Sequence, residues 1–469
     1  MARAPDRSAD PHHARRWLIL CVIGIAQLLV VLDVTIVNIA LPSAQRDLGF
    51  SDDARQWVIT AYALAFGSLL LLGGRISDLF GRKWTFIAGL LGFASASALG
   101  GSAQTFGMLV SARALQGVFA AMLAPAALSL LTTTFTDPAE RGKAFGVFGA
   151  IAGTGGAFGL LLGGALTEII DWRWCLYVSM VFAAPAAIAA TRLLHHVPVP
   201  SRPPLDIPGT LMASSGLFAL VFGLSQAQTD GWGDATTVTS LALAVLLLAG
   251  FVALEARTAQ PLLPLRVVAD RDRGASFLAI GIGSAGLFAL LLFLTFYLQV
   301  TKGFSAFETG LAFLPMSLSI APTVGVVTTK ILPRTGPRPL VPTGMLVGAV
   351  GMLLLTRLEP DSAYASHVLP SLILIGIGFG LTIAPSFATA THGIPARDAG
   401  VASAMVNTSQ QIGGSIGVAL LSSVGAGSLT TAYWWAAGLL LVGALVTSAL
   451  FRTDTRPAEA PGPAEPASA

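Results

Sequence analysis

Apolar stretches recur along the whole chain, each about 16 to 26 residues long, and polar loops that contain Gly or Pro separate them. About 20 apolar residues suffice for an α-helix to cross the hydrocarbon core of a bilayer. On this basis the pattern predicts an all-α polytopic membrane protein with about fourteen spanning helices. The predicted spans are residues 17–40, 57–74, 84–103, 106–131, 144–166, 174–194, 207–224, 238–254, 275–300, 307–327, 340–355, 368–390, 401–424 and 433–451.

The composition excludes an ordinary soluble protein. Hydrophobic residues make up 54% of the chain and charged residues only 11%, whereas soluble domains carry about 25% charged residues. The net charge of +3 and the pI near 9.1 could indicate nucleic-acid binding. The basic residues, however, fall in short loops, where they set membrane orientation. We therefore expect the lipid bilayer, and no nucleic acid, as the partner of this surface.

The distribution of Lys and Arg predicts the orientation. With both termini in the cytoplasm, 21 of the 27 basic residues fall in inside segments, 5 fall in outside loops, and Arg113 alone lies within a span. Short cytoplasmic loops retain basic residues in this way. We predict a multi-pass protein of the cytoplasmic membrane with both termini in the cytoplasm.

A weak internal repeat relates the two ends of the chain. Residues 109–129 resemble residues 369–389, and both segments contain an Ala-Pro pair at the same place. The pattern predicts two six-helix bundles separated by an inserted helix pair, an arrangement that forms a central cavity open alternately to either side. The predicted segments are a cytoplasmic tail 1–16, a first bundle 17–200, the inserted pair 201–258, a second bundle 259–452 and a disordered cytoplasmic tail 453–469.

Two ionisable residues, Asp33 and Arg113, lie deep inside predicted spans. A charge at the bilayer centre costs at least about 2.5 to 3.5 kcal/mol, so such residues are paired or line a wet cavity. In one interpretation the two residues form a pair that only fixes helix packing. In the other, Asp33 binds and releases a proton as helix movements change its burial and its distance from the arginine.

Several segments are similar to those of the major facilitator superfamily, and specifically to its fourteen-span drug:proton antiporters of the QacA and EmrB type. Residues 32–42 read LDVTIVNIALP, which resembles the motif of that subfamily in the first helix. Residues 74–83 read GRISDLFGRK, which resembles the signature cytoplasmic loop of the superfamily. The resemblance implies a major facilitator fold of two six-helix bundles plus two extra helices, and it covers nearly the whole chain except the tails.

The loop after the second span carries the residues that the resemblance implies for gating. Its glycines permit a tight turn, and its charged residues can form ion pairs that latch the bundles in one state. The alternative is that the basic residues only determine topology. The gating candidates are Gly74, Asp78, Gly81, Arg82 and Lys83.

Spans four and five carry two further family segments. Residues 109–117 resemble the segment whose arginine, here Arg113, takes part in proton transfer. Residues 155–164 resemble the antiporter motif, whose glycines provide a smooth stripe for close helix packing. Leu160 stands where the family pattern has proline, so whether the helix bends there is left open. The packing candidates are Gly155, Gly159, Gly163 and Gly164.

Polar and aromatic residues in several spans are candidates for a substrate cavity, although helix packing explains each of them equally well. Segments 297–299 and 407–414 also resemble the fourteen-span subfamily. The cavity candidates are Asn38, Tyr62, Gln116, Tyr297, Gln299, Asn407 and Gln410.

The resemblance implies proton-coupled efflux of lipophilic drugs or antibiotics by alternating access, carried out by a monomer whose partners are protons and a small lipophilic substrate. We expect no cofactor, because the chain has no GxxxxGK[ST] loop for ATP and the proton gradient supplies the energy. The six histidines show no metal-ligand spacing, so we expect no metal site. The sequence shows no pairing of a nucleophile with a base either, so we do not expect the protein to be an enzyme.

Two alternatives remain. The chain could be a secondary transporter for a native metabolite or lipid, with the same machinery and a different substrate. It could also be a non-transporting sensor or a membrane enzyme, which proton movement in vesicles on adding substrate would distinguish.

Overall fold

The computed structural model describes residues 15–194, 206–258, 261–395, 398–425 and 428–452. Apart from Arg15 and Arg16, the predicted tails 1–16 and 453–469 lie outside the described residues. The described chain is helical throughout its elements, which are α1 Arg16–Leu48, α2 Asp52–Phe80, α3 Arg82–Gly101, α4 Phe106–Thr134, α5 Pro138–Ile169, α6 Trp174–Leu193, α7 Ile207–Thr229, α8 Ala235–Glu255, α9 Leu265–Ala269, α10 Arg271–Phe296, α11 Ala306–Val326, α12 Leu332–Thr335, α13 Pro337–Leu355, α14 Leu369–Ala390, α15 Ala399–Gly425 and α16 Leu429–Leu450. Single π-helical turns follow α10 and α11 and precede α14, at Tyr297–Thr301, Val327–Ile331 and Tyr364–Val368.

Twelve helices in the described part of the chain are long and apolar enough to cross a membrane, or thirteen when the bent helix α5 is taken as one span. The protein is thus an all-helical, multi-pass membrane protein. Helix α15 has 27 residues but is not one of the twelve, because the polar run at residues 407–411 lowers its hydropathy. The predicted count of fourteen spans is therefore not supported by length and composition.

Side-chain caps explain where many of these helices begin. Ser51, Thr105, Asp206, Asp234 and Asp270 each accept a hydrogen bond from a backbone N–H in the first turn of the helix that follows. Such caps satisfy backbone donors that have no partner inside a helix. In an apolar chain, these polar residues therefore mark the ends of the helices.

Polar contacts gather several helix ends at one face of the bundle. The start of α1 meets the start of α5 through Arg16 and Glu140, 2.6 Å apart. The end of α2 meets the start of α15 through Asp78 and the N–H of Gly400. After α16, the N–H of Arg452 donates to an oxygen of Asp272 in α10 at 2.9 Å. We call this the terminal face and the opposite one the distal face.

The helices before and after the inserted pair have the same packing partners. In the first six, α1 packs on α5 and α6, α4 packs on α2 and α3, and α3 also packs on α6. In the last six long helices, α10 packs on α15 and α16, α14 packs on α11 and α13, and α13 also packs on α16. The two halves meet mainly where α5 packs on α11 and α2 on α15. The exact segment boundaries stay a prediction.

The inserted helices α7 and α8 pack on each other, and α7 also contacts α2 of the first half and α15 of the second. Helix α8 exposes many of its large apolar side chains, and Val245 and Leu246 are each 69% exposed. An apolar surface of this extent needs lipid to cover it.

Candidate functional site

Asp33 of α1 and Arg113 of α4 form an ion pair inside the first half. Arg113 Nη1 lies 2.5 Å from Asp33 Oδ2, and Gln116 Nε2 donates to Asp33 Oδ1 at 2.8 Å. The three side chains belong to residues that are at most 1% exposed. Both carboxylate oxygens accept hydrogen bonds from donors, an arrangement that suits the ionised form of Asp33.

Neighbouring helices fix the geometry of this pair. Arg113 Nε donates to the backbone oxygen of Val58 in α2 at 3.1 Å, and its Nη1 also donates to Gln116 Oε1 at 2.9 Å. Gln116 Nε2 contacts Ser97 Oγ in α3 at 2.8 Å, and that hydroxyl donates to the backbone oxygen of Leu176 in α6. The network therefore joins α1, α2, α3, α4 and α6 around one carboxylate.

Ser97 is a member of this network that the sequence analysis missed. It lies in a run of small residues, Phe93-Ala94-Ser95-Ala96-Ser97, and nothing in that run distinguishes it from Ser95. Gln116 was predicted to line a substrate cavity. In this conformation it is a direct partner of Asp33 and Arg113, and its place in a substrate cavity stays a prediction.

Tyr62 also belongs to this cluster. Its ring lies under the guanidinium of Arg113, with 4.5 Å between the ring centroid and Cζ. The residue is 2% exposed, and its hydroxyl is buried without a hydrogen-bond partner among the described residues. The structure thus places Tyr62 against the charged pair, and its role in a substrate cavity stays a prediction.

This arrangement can exchange a proton only when it changes shape. An ionised carboxylate deep in the protein depends on its donors, and loss of one partner leaves an uncompensated charge. A proton on Asp33 would remove that dependence on Arg113 and Gln116. Asp33 is 0% exposed in this conformation, so its contact with bulk water requires a rearrangement of the surrounding helices.

Asp78 holds the two halves together at the terminal face. Its carboxylate accepts hydrogen bonds from the backbone N–H groups of Gly400, at 3.0 Å, and Val401, at 3.2 Å. Both groups lie in the first turn of α15, where unpaired amides and the helix dipole favour a negative charge. Gly74 lies one turn earlier in α2, and a Cβ there would lie 2.6 Å from the backbone oxygen of Gly400.

The loop contains an ion pair of the predicted kind, between Arg82 Nη2 and Asp78 Oδ1 at 3.8 Å, and it lies within the first half. Arg82 Nε donates to Ser129 Oγ at 2.6 Å, and Lys83 Nζ donates to the backbone oxygen of Thr191 at 2.9 Å. Both partners lie within the first six helices. Asp78 contacts the other half through the backbone amides at the start of α15 and not through a basic side chain. Gly81 has φ of 93°, which a residue with a side chain rarely adopts.

The predicted glycine stripe of α5 packs against α1. A Cβ on Gly155 would lie 3.0 Å from Val31, one on Gly159 would collide with Thr35, and one on Gly163 would lie 2.9 Å from Ile36. Gly164 instead faces Phe307 of α11. Close backbone approach of this kind needs residues without side chains.

Helix α5 bends although it lacks the proline of the family pattern. Its parts 140–156 and 158–169 meet at 41°, and Leu160 is buried, at 7% exposure. Paired glycines weaken a helix enough to allow a kink. Gly155 and Gly156 precede the bend directly. The helix is therefore bent in this region without a proline at position 160.

The remaining cavity candidates are spread over three regions. Tyr297 is 2% exposed, and its hydroxyl donates to the backbone oxygen of Glu359 at 2.7 Å. Asn38 and Asn407 donate to backbone oxygens one turn earlier in their own helices. Gln299 and Gln410 are half-buried. A role of these residues in a substrate cavity stays a prediction.

A cavity of about 420 Å³ lies among α2, α7 and α8, away from these candidates. Its walls carry hydroxyl and aromatic side chains, including Ser68, Ser214, Phe218, Phe222 and Ser240. Among the described residues no group of three or more His, Cys, Asp or Glu side chains is arranged to hold a metal ion.

His392 provides a second polar contact across the halves at the terminal face. Its Nδ1 lies 3.1 Å from Arg141 Nη2, so the neutral ring accepts a hydrogen bond from the guanidinium. Burial of the ring, with the nearby charges of Arg141 and Arg273, holds the pKa of His392 below its usual value. No local pattern of residues indicates this contact, since the partners are 251 residues apart.

Comparison with known sequences gives a consistent result. Residues 23–418 match the family described as Major Facilitator Superfamily. The chain is 54% identical over 443 residues to the puromycin resistance protein of Streptomyces alboniger, covering 92% of this chain and 88% of that protein. It is 40% identical to the cephamycin export protein CmcT of Amycolatopsis lactamdurans over 85% of this chain and 83% of that one. The multidrug efflux pump LfrA of Mycolicibacterium smegmatis is 30% identical over 90% of this chain and 82% of the pump.

Solved structures show the same fold. The human organic anion transporter MFSD10 superposes with a TM-score of 0.68 at 16% identity, covering 92% of this chain and 99% of that one. The proton:xylose symporter XylE superposes with a TM-score of 0.66 at 15% identity, covering 92% of this chain and 95% of the symporter.

Proposed function

The chain belongs to the major facilitator superfamily, whose members are transporters, and we propose that it exports lipophilic drugs or antibiotics in exchange for protons. Relatives that align over most of its length are named for puromycin resistance, cephamycin export and multidrug efflux. These names support drug efflux as the function. Proton exchange is the further step that we propose for this chain.

The observation that carries the proposal is the buried Asp33 carboxylate. It accepts hydrogen bonds from Arg113 and Gln116 and is 0% exposed. When a proton binds to Asp33, the carboxyl becomes neutral and the attraction to Arg113 falls. Helices α1 and α4 then separate more easily, and this change favours the other access state. The return of Arg113 to Asp33 drives the proton off.

The same carboxylate bears on the class of substrate. Asp33 is already neutralised by Arg113 in this conformation, so it is not free to balance a charge on the cargo. We propose neutral or monovalent cationic lipophiles as substrates. Puromycin is the first compound to test, since it appears in the name of a relative that is 54% identical.

We propose fourteen spans for the folded protein in its bilayer. The two helices beyond the twelve apolar ones are the bent helix α5 and the polar helix α15, and α15 is packed among α2, α4, α7, α10 and α16. A helix enclosed by other helices does not need an apolar surface. This count, with both termini in the cytoplasm, corresponds to the drug:proton antiporters of the QacA and EmrB type.

The proton gradient is sufficient as the energy source, and the proposed monomer needs no cofactor. A membrane potential gives about 2.3 kcal/mol per charge per 100 mV, so one proton at about 150 mV supports a gradient of neutral cargo of roughly a few hundred-fold. For a monovalent cation exchanged with one proton the potential cancels. Only the pH difference then drives export, at about 1.4 kcal/mol per pH unit.

Inside-out vesicles with an acidic interior test the proposal. Adding puromycin to vesicles that contain the wild-type protein should release protons from the interior, and Asp33→Asn should abolish this release. Asp47→Asn is the matched control, because Asp47 lies on the same helix but is exposed and paired with Arg173 at 2.7 Å. The control should retain the wild-type flux. Equal proton release in wild type and Asp33→Asn would contradict the proposal.

The alternative of a native metabolite or lipid as substrate is separated by a panel of toxic lipophiles. Cells that express the protein should become less sensitive to at least one of them. Unchanged sensitivity to every compound, with proton release still dependent on Asp33 when cell extract is the substrate source, would favour the native substrate.

A further inference from the structure

Two carboxyl groups face each other between the inserted helices at the terminal face. Asp206 precedes α7, and Glu255 is the last residue of α8. A Cβ added to Gly209 would lie within 2.7 Å of Glu255 Oε1 and would also collide with Asp206 Oδ2. The two carboxyl oxygens therefore approach each other across a single glycine, which leaves the space that they occupy.

Within the described part of the chain, the hydrogen bonds of the two carboxyls leave one oxygen atom without a donor. Glu255 accepts from the backbone N–H groups of Leu262, at 3.2 Å, and Leu263, at 3.0 Å. Asp206 Oδ1 accepts from the N–H of Gly209 at 2.9 Å. Asp206 Oδ2, by contrast, is buried and has no partner among the described residues. An oxygen in this position is satisfied when it carries a hydrogen and donates it to Glu255.

Among the described residues, neither carboxyl forms an ion pair with a basic side chain. Glu255 is 3% exposed, and the charged side chain that acts on it most strongly is Asp206. The basic groups on the neighbouring segments have other engagements or lie in water. Arg266 of α9 pairs with Asp398 at 2.6 Å, Arg82 of α3 contacts Ser129, and Arg257 is exposed. Arg75 of α2 is buried, and its charge acts on Asp78. Two adjacent buried carboxyls without a cation cannot both ionise cheaply.

Glu255 also links the inserted pair to the start of α15. The segment whose amides it holds inserts Leu262 and Leu263 into an apolar cluster with Phe251 of α8 and with Val401 and Ala404 of α15. Val401 is the residue whose N–H donates to Asp78. The carboxyl pair and Asp78 therefore act on the same first turn of α15 from two sides.

We propose that Asp206 and Glu255 form a proton-binding site that keeps the terminal face closed while it holds one shared proton. The proton lies between Asp206 Oδ2 and Glu255, so that one carboxyl donates it to the other. When it leaves to water at the terminal face, two negative charges face each other. Their repulsion moves the 262–263 segment away from α7 and loosens its packing on α15. This site is separate from Asp33, and it goes beyond the proposed antiport.

Infrared titration of the purified protein in lipid nanodiscs tests the shared proton directly. The difference spectrum between wild type and Asp206→Asn should contain the band of a protonated carboxyl at neutral pH, and this band should vanish as pH rises. Glu255→Gln should remove the same band. Asp234→Asn is the matched control, since Asp234 caps the other inserted helix with bonds from the N–H groups of Thr236 and Thr237 and is half-buried. It should leave the band intact.

Spin labels test the consequence for closure. Labels at Arg192→Cys and Arg334→Cys lie on exposed positions of α6 and α12, in a background without Cys21 and Cys175. Between pH 7 and 9, without substrate or gradient, the closed distance population of wild type should fall by about tenfold. This change corresponds to about 1.4 kcal/mol of repulsion between the two carboxylates. The closed population of Asp206→Asn should stay constant, because the amide donates to Glu255 at every pH.

A carboxyl band that is unchanged in both Asp206→Asn and Glu255→Gln would overturn the proposal. So would a closed population that follows pH equally in wild type and Asp206→Asn. Neither measurement uses cargo or Asp33. Failure of the proposed antiport, seen as proton release that persists in Asp33→Asn, is therefore recorded independently.

Discussion

The carboxylate of Asp78 at the end of α2 accepts a hydrogen bond of 3.0 Å from the backbone N–H of Gly400 at the start of α15. This contact joins residues 322 positions apart and connects the two halves at the terminal face. Its strength depends on charge, because the acceptor is a carboxylate and the donors lie at the positive end of a helix.

Asp78→Asn should open the terminal face. The amide keeps the shape of the side chain but loses the charge, and a hydrogen bond to a charged group contributes about 1.5 to 3 kcal/mol. The closed population reported by spin labels at Arg192→Cys and Arg334→Cys should fall by roughly tenfold or more. Asp361→Asn, at an exposed position of the distal face, should leave the distances unchanged. A closed population that resists Asp78→Asn would show that this contact does not hold the face.

Removal of Arg113 should cost more than removal of both charges. Arg113→Ala leaves the buried Asp33 carboxylate without its cation, and loss of one partner of a buried pair costs about 3 to 5 kcal/mol. Asp33→Asn together with Arg113→Ala removes the uncompensated charge, so the double variant should regain part of that loss. Chemical denaturation in detergent micelles measures the free energy of unfolding for each variant. Strict additivity of the two single effects would contradict the ion pair.

Two substitutions of Tyr62 separate the contribution of its ring to stability from that of its hydroxyl. Its hydroxyl has no partner among the described residues, so Tyr62→Phe should be neutral or raise the free energy of unfolding by up to about 1 kcal/mol. Tyr62→Leu removes the ring below Arg113 and should cost about 0.5 to 2 kcal/mol of cation–π attraction. A larger loss in Tyr62→Phe than in Tyr62→Leu would be the opposite of this expectation.

Gly159→Ala should disrupt the packing of α5 on α1. The added methyl group would collide with Thr35, and overpacking of this kind costs about 1 to 3 kcal/mol. Gly438→Ala in α16 is the matched control, since a Cβ there meets nothing within 4 Å. The control should stabilise the protein by about 0.5 to 1 kcal/mol through helix propensity. Equal effects at the two glycines would exclude a close approach at Gly159.

The contact between His392 and Arg141 should make the stability of the protein depend on pH. The neutral ring accepts the bond from Arg141, and its pKa in the folded protein lies below the usual value. The contact therefore contributes fully above about pH 6.5 and is lost as pH falls through the lowered pKa. The melting temperature of wild type should fall more steeply between pH 7.5 and 5 than that of His392→Gln. Parallel curves for the two proteins would contradict this assignment.

Much of the fold and the central pair could be predicted from the sequence. Spans have a strong hydropathy signal, and an Asp or Arg inside a span is rare enough to mark a site. Asp33 and Arg113 were found on that ground, and the structure brings them within 2.5 Å of each other. The glycine spacing of α5 likewise indicated the face that packs on another helix.

Contacts that use ordinary groups could not be predicted. Asp78 binds backbone amides, which every residue carries, so no residue type pointed to Gly400 and Val401 as partners. Ser97 resembles its neighbour Ser95 in every local respect. Helix α15 shows a limit of hydropathy alone. Its polar run keeps it from being one of the twelve apolar helices, although the sequence predicts a span at 401–424 and other helices surround it.

The contacts of α7 with both halves restrict how the protein can open. On the distal face, Thr60 of α2 lies 3.2 Å from Ser225 of α7, and the Trp232 indole after α7 donates to Ser423 of α15 at 2.5 Å. If α2 and α15 move apart there, one short segment cannot follow both. One of these two hydrogen bonds must then break, so the inserted pair adds a small energy barrier to opening of the distal face.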